Sequence, residues 1–237
     1  MESAAEPIPL WWRQEGDRRR CNADAAGALL AYTRSVALDP FPYAGWLGMG
    51  LSFEALERQE DALKYYDIAT SLGPHSFAAY ESKGLLLHKR GAFEQALTCF
   101  EWLALIADGS AVTAAWAMNY TAATLIRLGR AAEAIASCDR GLGLQPMDVL
   151  WLTRGNALRD LGLFDAAIVS HNQALALNPK CGEARFNRAL VEEDQGRTQA
   201  AIRTYRQCLE MNELDSALER RVRRRLAEAA AVAPSRP

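Results

Sequence analysis

The sequence lacks the features that mark membrane and secreted proteins. No run of about 18 apolar residues occurs among its 237 residues, so no transmembrane helix is predicted. Its N-terminal stretch carries an early acid, Glu2, and no apolar segment of a secretory signal, so a cytoplasmic protein is expected. The formal net charge of −2 gives no overall attraction to nucleic acid or to an acidic membrane surface.

The sequence is also poor in motifs that carry chemistry. Its five cysteines include no C-x-x-C pair and no Cys/His cluster, so neither a disulfide framework nor a metal site is predicted. It has no phosphate loop G-x-x-x-x-G-K-[ST], no G-x-S-x-G and no H-E-x-x-H. Its three histidines are far apart, and one of them, His171, is expected to be buried and hydrogen-bonded. The sequence therefore predicts a protein that is not an enzyme and needs no cofactor.

One stretch, residues 148–179, shows what is present instead. Trp151, Gly155 and Leu158 are spaced four and three apart, which places them on one face of a helix. Gly162 is typical of a helix end, because glycine enters the left-handed conformation without a side-chain penalty. A second helix follows and stops at an Asn-Pro pair. The stretch therefore predicts two short helices joined by a glycine turn.

The same pattern recurs along the whole chain. The alanine that marks the second helix returns every 33 to 38 residues, at Ala28, Ala62, Ala96, Ala134, Ala167 and Ala201. Around it stand the residues of the pattern W-x-x-L-G-x-x-Y, A-x-x-x-F and P, as in Trp46, Gly50, Phe53, Ala62, Tyr66 and Pro74. This pattern resembles the tetratricopeptide repeat family. The resemblance implies an all-α fold, a right-handed superhelical array of helix-turn-helix repeats.

The boundaries of the repeats follow from the landmarks. After an irregular lead over 1–8, the repeat array over 9–213 is predicted to contain six repeats, which span 9–40, 43–74, 77–108, 115–146, 148–179 and 182–213. The first repeat is degenerate, because its first helix carries acids and arginines where apolar residues are expected. A capping helix over 214–232 is predicted to begin with a Ser216–Glu219 capping box, and a disordered tail over 233–237 follows.

Two irregularities carry predictions of their own. Glu57 stands where other repeats have a turn glycine, so a different turn closure is expected there. Four extra residues between Asp108 and Thr113 are expected to form a loop, because insertions between repeats map to loops.

Membership of this family would imply a scaffold, adaptor or assembly factor that binds another protein. In the family, the first helices of successive repeats line a groove for an extended peptide or a partner helix. By this resemblance the groove is predicted to include Trp116, Asn119, Tyr120, Arg127, Asn156, Arg159, Phe186, Asn187 and Arg221.

Part of this groove resembles the carboxylate clamp of co-chaperones in the family. Asn156, Asn187 and Arg221 match the two asparagines and the arginine of the clamp. Leu152 and Ala217 replace its two lysines, which removes the charge that favours a C-terminal carboxylate. Recognition of a peptide backbone by the amides stays open.

Two other functions remain as alternatives. The terminal helix is rich in arginine, with Arg220, Arg221, Arg223, Arg224 and Arg225, and would serve an RNA-associated protein, although it has no aromatic residues to stack on bases. The chain would equally serve as an accessory subunit of an enzyme whose catalytic chain is elsewhere.

Overall fold

A computed structural model describes residues 8–107, 109–211 and 214–232, and these residues form thirteen α-helices and no strand. The helices are α1 (Pro9–Cys21), α2 (Ala25–Leu38), α3 (Tyr43–Ala55), α4 (Gln59–Leu72), α5 (Phe77–Lys89), α6 (Phe93–Leu105), α7 (Ala111–Arg127), α8 (Ala131–Leu144), α9 (Asp148–Asp160), α10 (Phe164–Leu177), α11 (Gly182–Asp194), α12 (Thr198–Leu209) and α13 (Ser216–Val232). The predicted all-α fold of helix-turn-helix repeats is confirmed. The predicted lead up to residue 7 and the tail over 233–237 lie outside the described residues.

The helices pair into six hairpins, which fall into two compact units. The N-terminal unit contains α1 to α6, and the C-terminal unit contains α7 to α13. Within each unit the second helix of one hairpin packs against the first helix of the next. In the C-terminal unit the first helices also lie side by side, α7 against α9 and α9 against α11, and the terminal helix α13 packs against α11. This arrangement gives one surface formed by first helices, called here the first-helix surface.

The first hairpin contains a regular helix despite its polar sequence. In α1, Glu15 pairs with both Arg18 and Arg19, with nitrogen–oxygen distances of 2.7 Å. Gly16 is buried against the ring of Tyr32, whose hydroxyl donates to Asp17 at 2.7 Å. The charged residues therefore satisfy one another on the outside while the small residue permits close packing on the inside.

All six hairpin turns close in the same way. Gly162 has a φ of +72°, and the N–H of the next residue, Leu163, donates to the Leu158 carbonyl at 2.9 Å. Glu57 has a φ of +59°, and the N–H of Arg58 donates to the Phe53 carbonyl at 2.9 Å. The expectation of a different closure at Glu57 is therefore wrong. The hydrogen bond that ends the helix holds a non-glycine residue in the left-handed region.

Replacing Glu57 by glycine is expected to raise the free energy of unfolding by about 1 kcal/mol, because a side chain in the left-handed region costs about 1–2 kcal/mol. The reciprocal change Gly91→Glu should lower stability by a similar amount. A Cβ at Gly91 would meet nothing within 4 Å, so the cost there is conformational alone. Urea unfolding of both variants measures the two effects. Equal midpoints for wild type and both variants would contradict the prediction.

The four-residue insertion before the fourth hairpin lengthens helix α7, whereas a longer loop was expected; Gly109 and Ser110 lie outside the helix. Helix α7 has 17 residues, whereas α5 and α9 have 13. Ser110 caps the longer helix, because its Oγ accepts from the N–H of Thr113 at 3.2 Å. Ala111 and Ala114 lie in the added turn and favour helix. The insertion thus lengthens α7 by about one turn at its N-terminus.

Helix α13 covers the apolar side of the last hairpin. Leu218, Val222 and Ala229 are buried in one cluster with Tyr205 and Phe186. The helix begins differently from the prediction. The carboxylate of Asp215 accepts from the N–H groups of residues 217 and 218 at 2.8 Å, so the N-cap is this aspartate and not the predicted Ser216–Glu219 box.

Candidate functional site: the first-helix surface of the C-terminal unit

Polar side chains link neighbouring first helices of the C-terminal unit. The hydroxyl of Thr153 on α9 donates to Asn119 Oδ1 on α7 at 2.8 Å. One helix further on, Asn187 Nδ2 on α11 donates to Asn156 Oδ1 on α9 at 3.0 Å. All four side chains come from first helices. Consecutive helices therefore carry a row of amide and hydroxyl groups whose positions are fixed by hydrogen bonds between them.

The central amides keep hydrogen-bonding capacity. An amide side chain has two donor hydrogens and an acceptor oxygen with two lone pairs. Asn156 and Asn187 are both half-buried, and their mutual bond is the one that each makes within the described residues. Asn156 Nδ2 and Asn187 Oδ1 thus offer a donor and an acceptor to a ligand.

Arginines border this row and are already paired with carboxylates. Arg159 on α9 lies 2.5 Å from Asp194 on α11. Arg221 on α13 lies 2.8 Å from Glu183 on α11. A carboxylate ligand would have to displace these partners. The surface consequently favours a neutral ligand over the C-terminal carboxylate that a clamp would bind.

Aromatic residues lie at the α7 end of the surface. The rings of Trp116 and Tyr120 have centroids 6.0 Å apart, and both side chains are partly exposed. Arg127 is exposed in the last turn of the same helix. This end therefore presents apolar area next to Asn119.

Phe186 is not part of the accessible surface, which corrects its prediction as a groove residue. It is only 3% exposed, and its ring centroid lies 5.8 Å from that of Tyr205 in the core. The guanidinium carbon of Arg221 lies 4.7 Å from the ring centroid and covers the ring. The sequence held a signal for this burial, because the small residue Ala189 stands three residues later, on the same face of the helix.

The residues that pair with the predicted ones were not predicted from the sequence. Thr153, Asp194 and Glu183 each bind a predicted site residue, yet none was among the predictions. For Thr153 a signal existed, since it stands one repeat before Asn187. The other two, Asp194 and Glu183, are acids of α11 that are exposed and partly exposed, and the repeat pattern does not mark them.

The arginines of α13 do not form a free positive patch. Arg221, Arg223 and Arg225 have carboxylates within 3.0 Å, and the Arg224–Glu228 pair has a distance of 3.9 Å. Arg220 is exposed and makes no ion pair with a described residue. Because phosphate binding relies on unneutralised charge, this helix offers little to RNA.

His171 is buried as expected, but it lacks the expected hydrogen bonds. Neither ring nitrogen has a partner among the described residues, and the imidazole packs on Gly155. Burial, and then the positive charges of Arg159 and Arg188, lower the pKa of His171 to about 4. The imidazole is therefore neutral at physiological pH and acts as a core ring.

The described residues contain neither a metal centre nor a membrane-spanning helix. No group of three or more His, Cys, Asp or Glu side chains is arranged to hold a metal ion. No described helix has the length and apolar character to cross a bilayer.

Stacked helical hairpins with glycine-type turns and a covering terminal helix define an α-helical repeat protein, a class of protein–protein interaction scaffold. A family model described as tetratricopeptide repeat matches residues 14–76, 47–111 and 152–216. The chain belongs to the tetratricopeptide repeat family.

Among proteins of known sequence, the chain is similar to protein FlbA of Caulobacter vibrioides, with 29% identity over 162 residues. The match covers 66% of this chain and 26% of FlbA, so the chain spans about a quarter of that relative.

Among solved structures, the chain is similar to a tetratricopeptide repeat protein from Parabacteroides merdae, with a TM-score of 0.68 and 15% identity. The match covers 94% of this chain and 86% of the other. YrrB, described as a tetratricopeptide repeat protein with an unusual peptide-binding site, matches with a TM-score of 0.57 and 16% identity over 82% of this chain and 98% of its own. At these identities the structural matches show the fold alone.

Proposed function

We propose that the C-terminal unit binds an extended peptide of a partner protein along α7, α9 and α11, as an adaptor or assembly factor. The observation that carries the proposal is the hydrogen bond between Asn156 and Asn187, which holds two amides on neighbouring first helices in fixed positions. Mid-helix asparagine is a poorer helix former than alanine by some tenths of a kcal/mol, so a role beyond helix formation is favoured.

The chemistry of the amides fits a peptide backbone. An extended backbone presents N–H and C=O groups in alternation, and Asn156 Nδ2 with Asn187 Oδ1 supplies one complementary donor and one acceptor. Because the amides are already restrained by their mutual bond, less side-chain entropy is lost on binding. Such contacts do not recognise the side chains of the partner, so specificity would have to come from neighbouring residues.

The α7 end of the surface supplies such neighbours. Trp116 and Tyr120 are partly exposed and stand beside Asn119, so an apolar side chain of the peptide would rest there. The similarity to YrrB supports peptide binding as a capacity of this fold. An accessory subunit of an enzyme would use the same surface to hold its catalytic partner.

Replacing both Asn156 and Asn187 by alanine is expected to weaken partner binding by about 1–3 kcal/mol, through lost hydrogen bonds and unpaired groups on the partner. Thermal unfolding should change little, because removing both members leaves neither amide unpaired. Titration calorimetry with a partner recovered from the native source measures the affinity.

The matched control is Asn22→Ala, which removes an exposed asparagine of the N-terminal unit. Its affinity should equal that of the wild type. Full affinity in the double variant would place the binding surface elsewhere and refute the proposal.

A further inference from the structure

A groove in the N-terminal unit runs between α4 and α6, with α5 as its floor. It contains a cavity of 690 Å³. This volume lies within the range of about 300–1,000 Å³ that is typical of ligand pockets. Its lining includes Asp67, Tyr80, Lys83, Cys99, Glu101, Trp102 and Leu105.

The corresponding grooves of the C-terminal unit are spanned by arginine. Arg154 on α9 donates from Nε to Asp139 on α8 at 2.7 Å and from a terminal nitrogen to Ser170 on α10 at 2.9 Å. Arg188, at the same position of α11, donates to Asn172 and Thr204 on the two flanking second helices at 3.1 and 3.2 Å. The planar guanidinium has donors on two sides, so one side chain bridges both walls of the groove.

The preceding repeat of the N-terminal unit uses aromatic rings instead. Tyr65 on α4 stacks on Trp46 and Phe53 of α3, with centroid distances of 6.0 and 5.0 Å. Tyr65 stands one repeat before Cys99. In the preceding repeat, the ring of Tyr65 thus takes the place that the Cys99 thiol has in the α4–α6 groove.

The α4–α6 groove has neither the arginine nor the aromatic stack. Lys83 stands at the arginine position, and its Nζ lies 2.8 Å from Asp67 on one wall. On the opposite wall the equivalent of Ser170 is Cys99, which is buried. A lysine carries one compact ammonium and no second donor group. Among the described residues, Lys83 makes no bond to α6, the opposite wall of the groove. The cavity follows from these two replacements.

The side chains around the cavity have the character of a site for a planar cation. The Tyr80 and Trp102 rings have centroids 6.2 Å apart, and Trp102 is held by a 2.8 Å bond from its Nε1 to the Pro74 carbonyl. Asp67 is exposed, and Glu101 is exposed with no ion pair to a described residue. Aromatic faces beside carboxylates attract a guanidinium through cation–π contact and charge-assisted hydrogen bonds. The single ammonium of Lys83 balances only one of the two carboxylates, that of Asp67, so Glu101 leaves a net negative charge at the cavity.

We propose that this groove docks a helix of a partner protein through an arginine side chain. The guanidinium packs against the side of the Tyr80–Trp102 pair that lines the cavity and bonds to Oδ2 of Asp67, whose Oδ1 is paired with Lys83. This bond would resemble the one that Arg154 makes to Asp139 within the chain. A large apolar residue one turn away on the partner helix covers Leu105, which is 76% exposed at the end of the groove. This surface is separate from the peptide-binding surface proposed for the C-terminal unit.

The test uses the full chain and synthetic helical peptides of about 15 residues, rich in alanine and glutamine, with one leucine and one arginine one turn apart. A matched peptide carries citrulline, which keeps the shape of arginine without its charge. Titration calorimetry should show saturable binding of the arginine peptide, at least about tenfold tighter than that of the citrulline peptide, because a charge-assisted bond is lost.

Variants of the chain locate the binding. The double change Lys83→Arg with Cys99→Ser installs the arginine–serine pair of the α8–α10 groove and should reduce binding at least about tenfold by occupying the same contacts. Asp67→Asn, at an exposed position, should also weaken it, while the Asn156→Ala, Asn187→Ala double variant should bind normally. Circular dichroism verifies that each variant is folded. The proposal would be overturned if both peptides bound equally well or if the arginine peptide did not bind. It would also be overturned if the double change left binding unaffected.

Discussion

Replacing Val222 by aspartate is expected to lower the free energy of unfolding of the C-terminal unit by about 3–5 kcal/mol, the cost of an unpaired buried charge. Val222 is fully buried, and its cluster holds Tyr205, Cys208 and Phe186 from the last hairpin. The arginines that contact this cluster, Arg221 and Arg225, are already paired with Glu183 and Glu193. The terminal helix would detach or the last hairpin would unfold with it.

The matched control is Ala227→Asp, which adds the same residue at an exposed position of the same helix. This change should lower the free energy of unfolding by less than about 1 kcal/mol, because substitutions at exposed positions usually have small effects on stability. Urea unfolding followed by circular dichroism measures both, and light scattering shows whether the bared apolar surface causes association. Equal stability of the two variants would mean that α13 does not act as a cap.

The repeat architecture could be predicted because the repeat is visible in the sequence as a regular spacing of residue types. The same apolar and small residues return at fixed spacing, and each set buries one face of a helix. Two of the errors concern helix ends, where a single local hydrogen bond decides the conformation. At Glu57 the helix-ending bond imposes the left-handed conformation, and at Ser110 a cap turns a predicted loop into helix.

The candidate site could be predicted only as a set of helix positions. Counting around α9 and α11 placed Asn156 and Asn187 on neighbouring first helices, and the structure has them there. That they bond to each other depends on side-chain rotamers, which the period does not determine. The pairing of Arg159 with Asp194 and of Arg221 with Glu183 joins residues about one repeat apart, and nothing in the local sequence marks these partners.

Acid is expected to destabilise the C-terminal unit through His171. Its pKa falls from about 6.5 in the unfolded chain to about 4 in the fold, so the folded state binds the proton more weakly. The contribution of neutral His171 to the free energy of unfolding is therefore fully present above pH 6.5 and is lost as the pH falls from there toward 4. From these two pKa values, the loss at pH 5 is about 2 kcal/mol relative to pH 7.5. Arg159 and Arg188 face the ring and oppose its protonation further.

The variant His171→Phe isolates this contribution. A phenyl ring fits the repeat, since Phe100 packs on Gly84 as closely as His171 packs on Gly155, with 2.5 Å from an added glycine Cβ to the ring in both. Urea unfolding between pH 5 and 7.5 should show the wild type losing about 2 kcal/mol more than the variant. At pH 7.5 the variant should be more stable by about 1–2 kcal/mol, because two unsatisfied ring nitrogens are gone. The control His75→Gln changes an exposed histidine and should keep the wild-type pH dependence. Parallel curves for wild type and His171→Phe would show that the buried imidazole does not couple folding to pH.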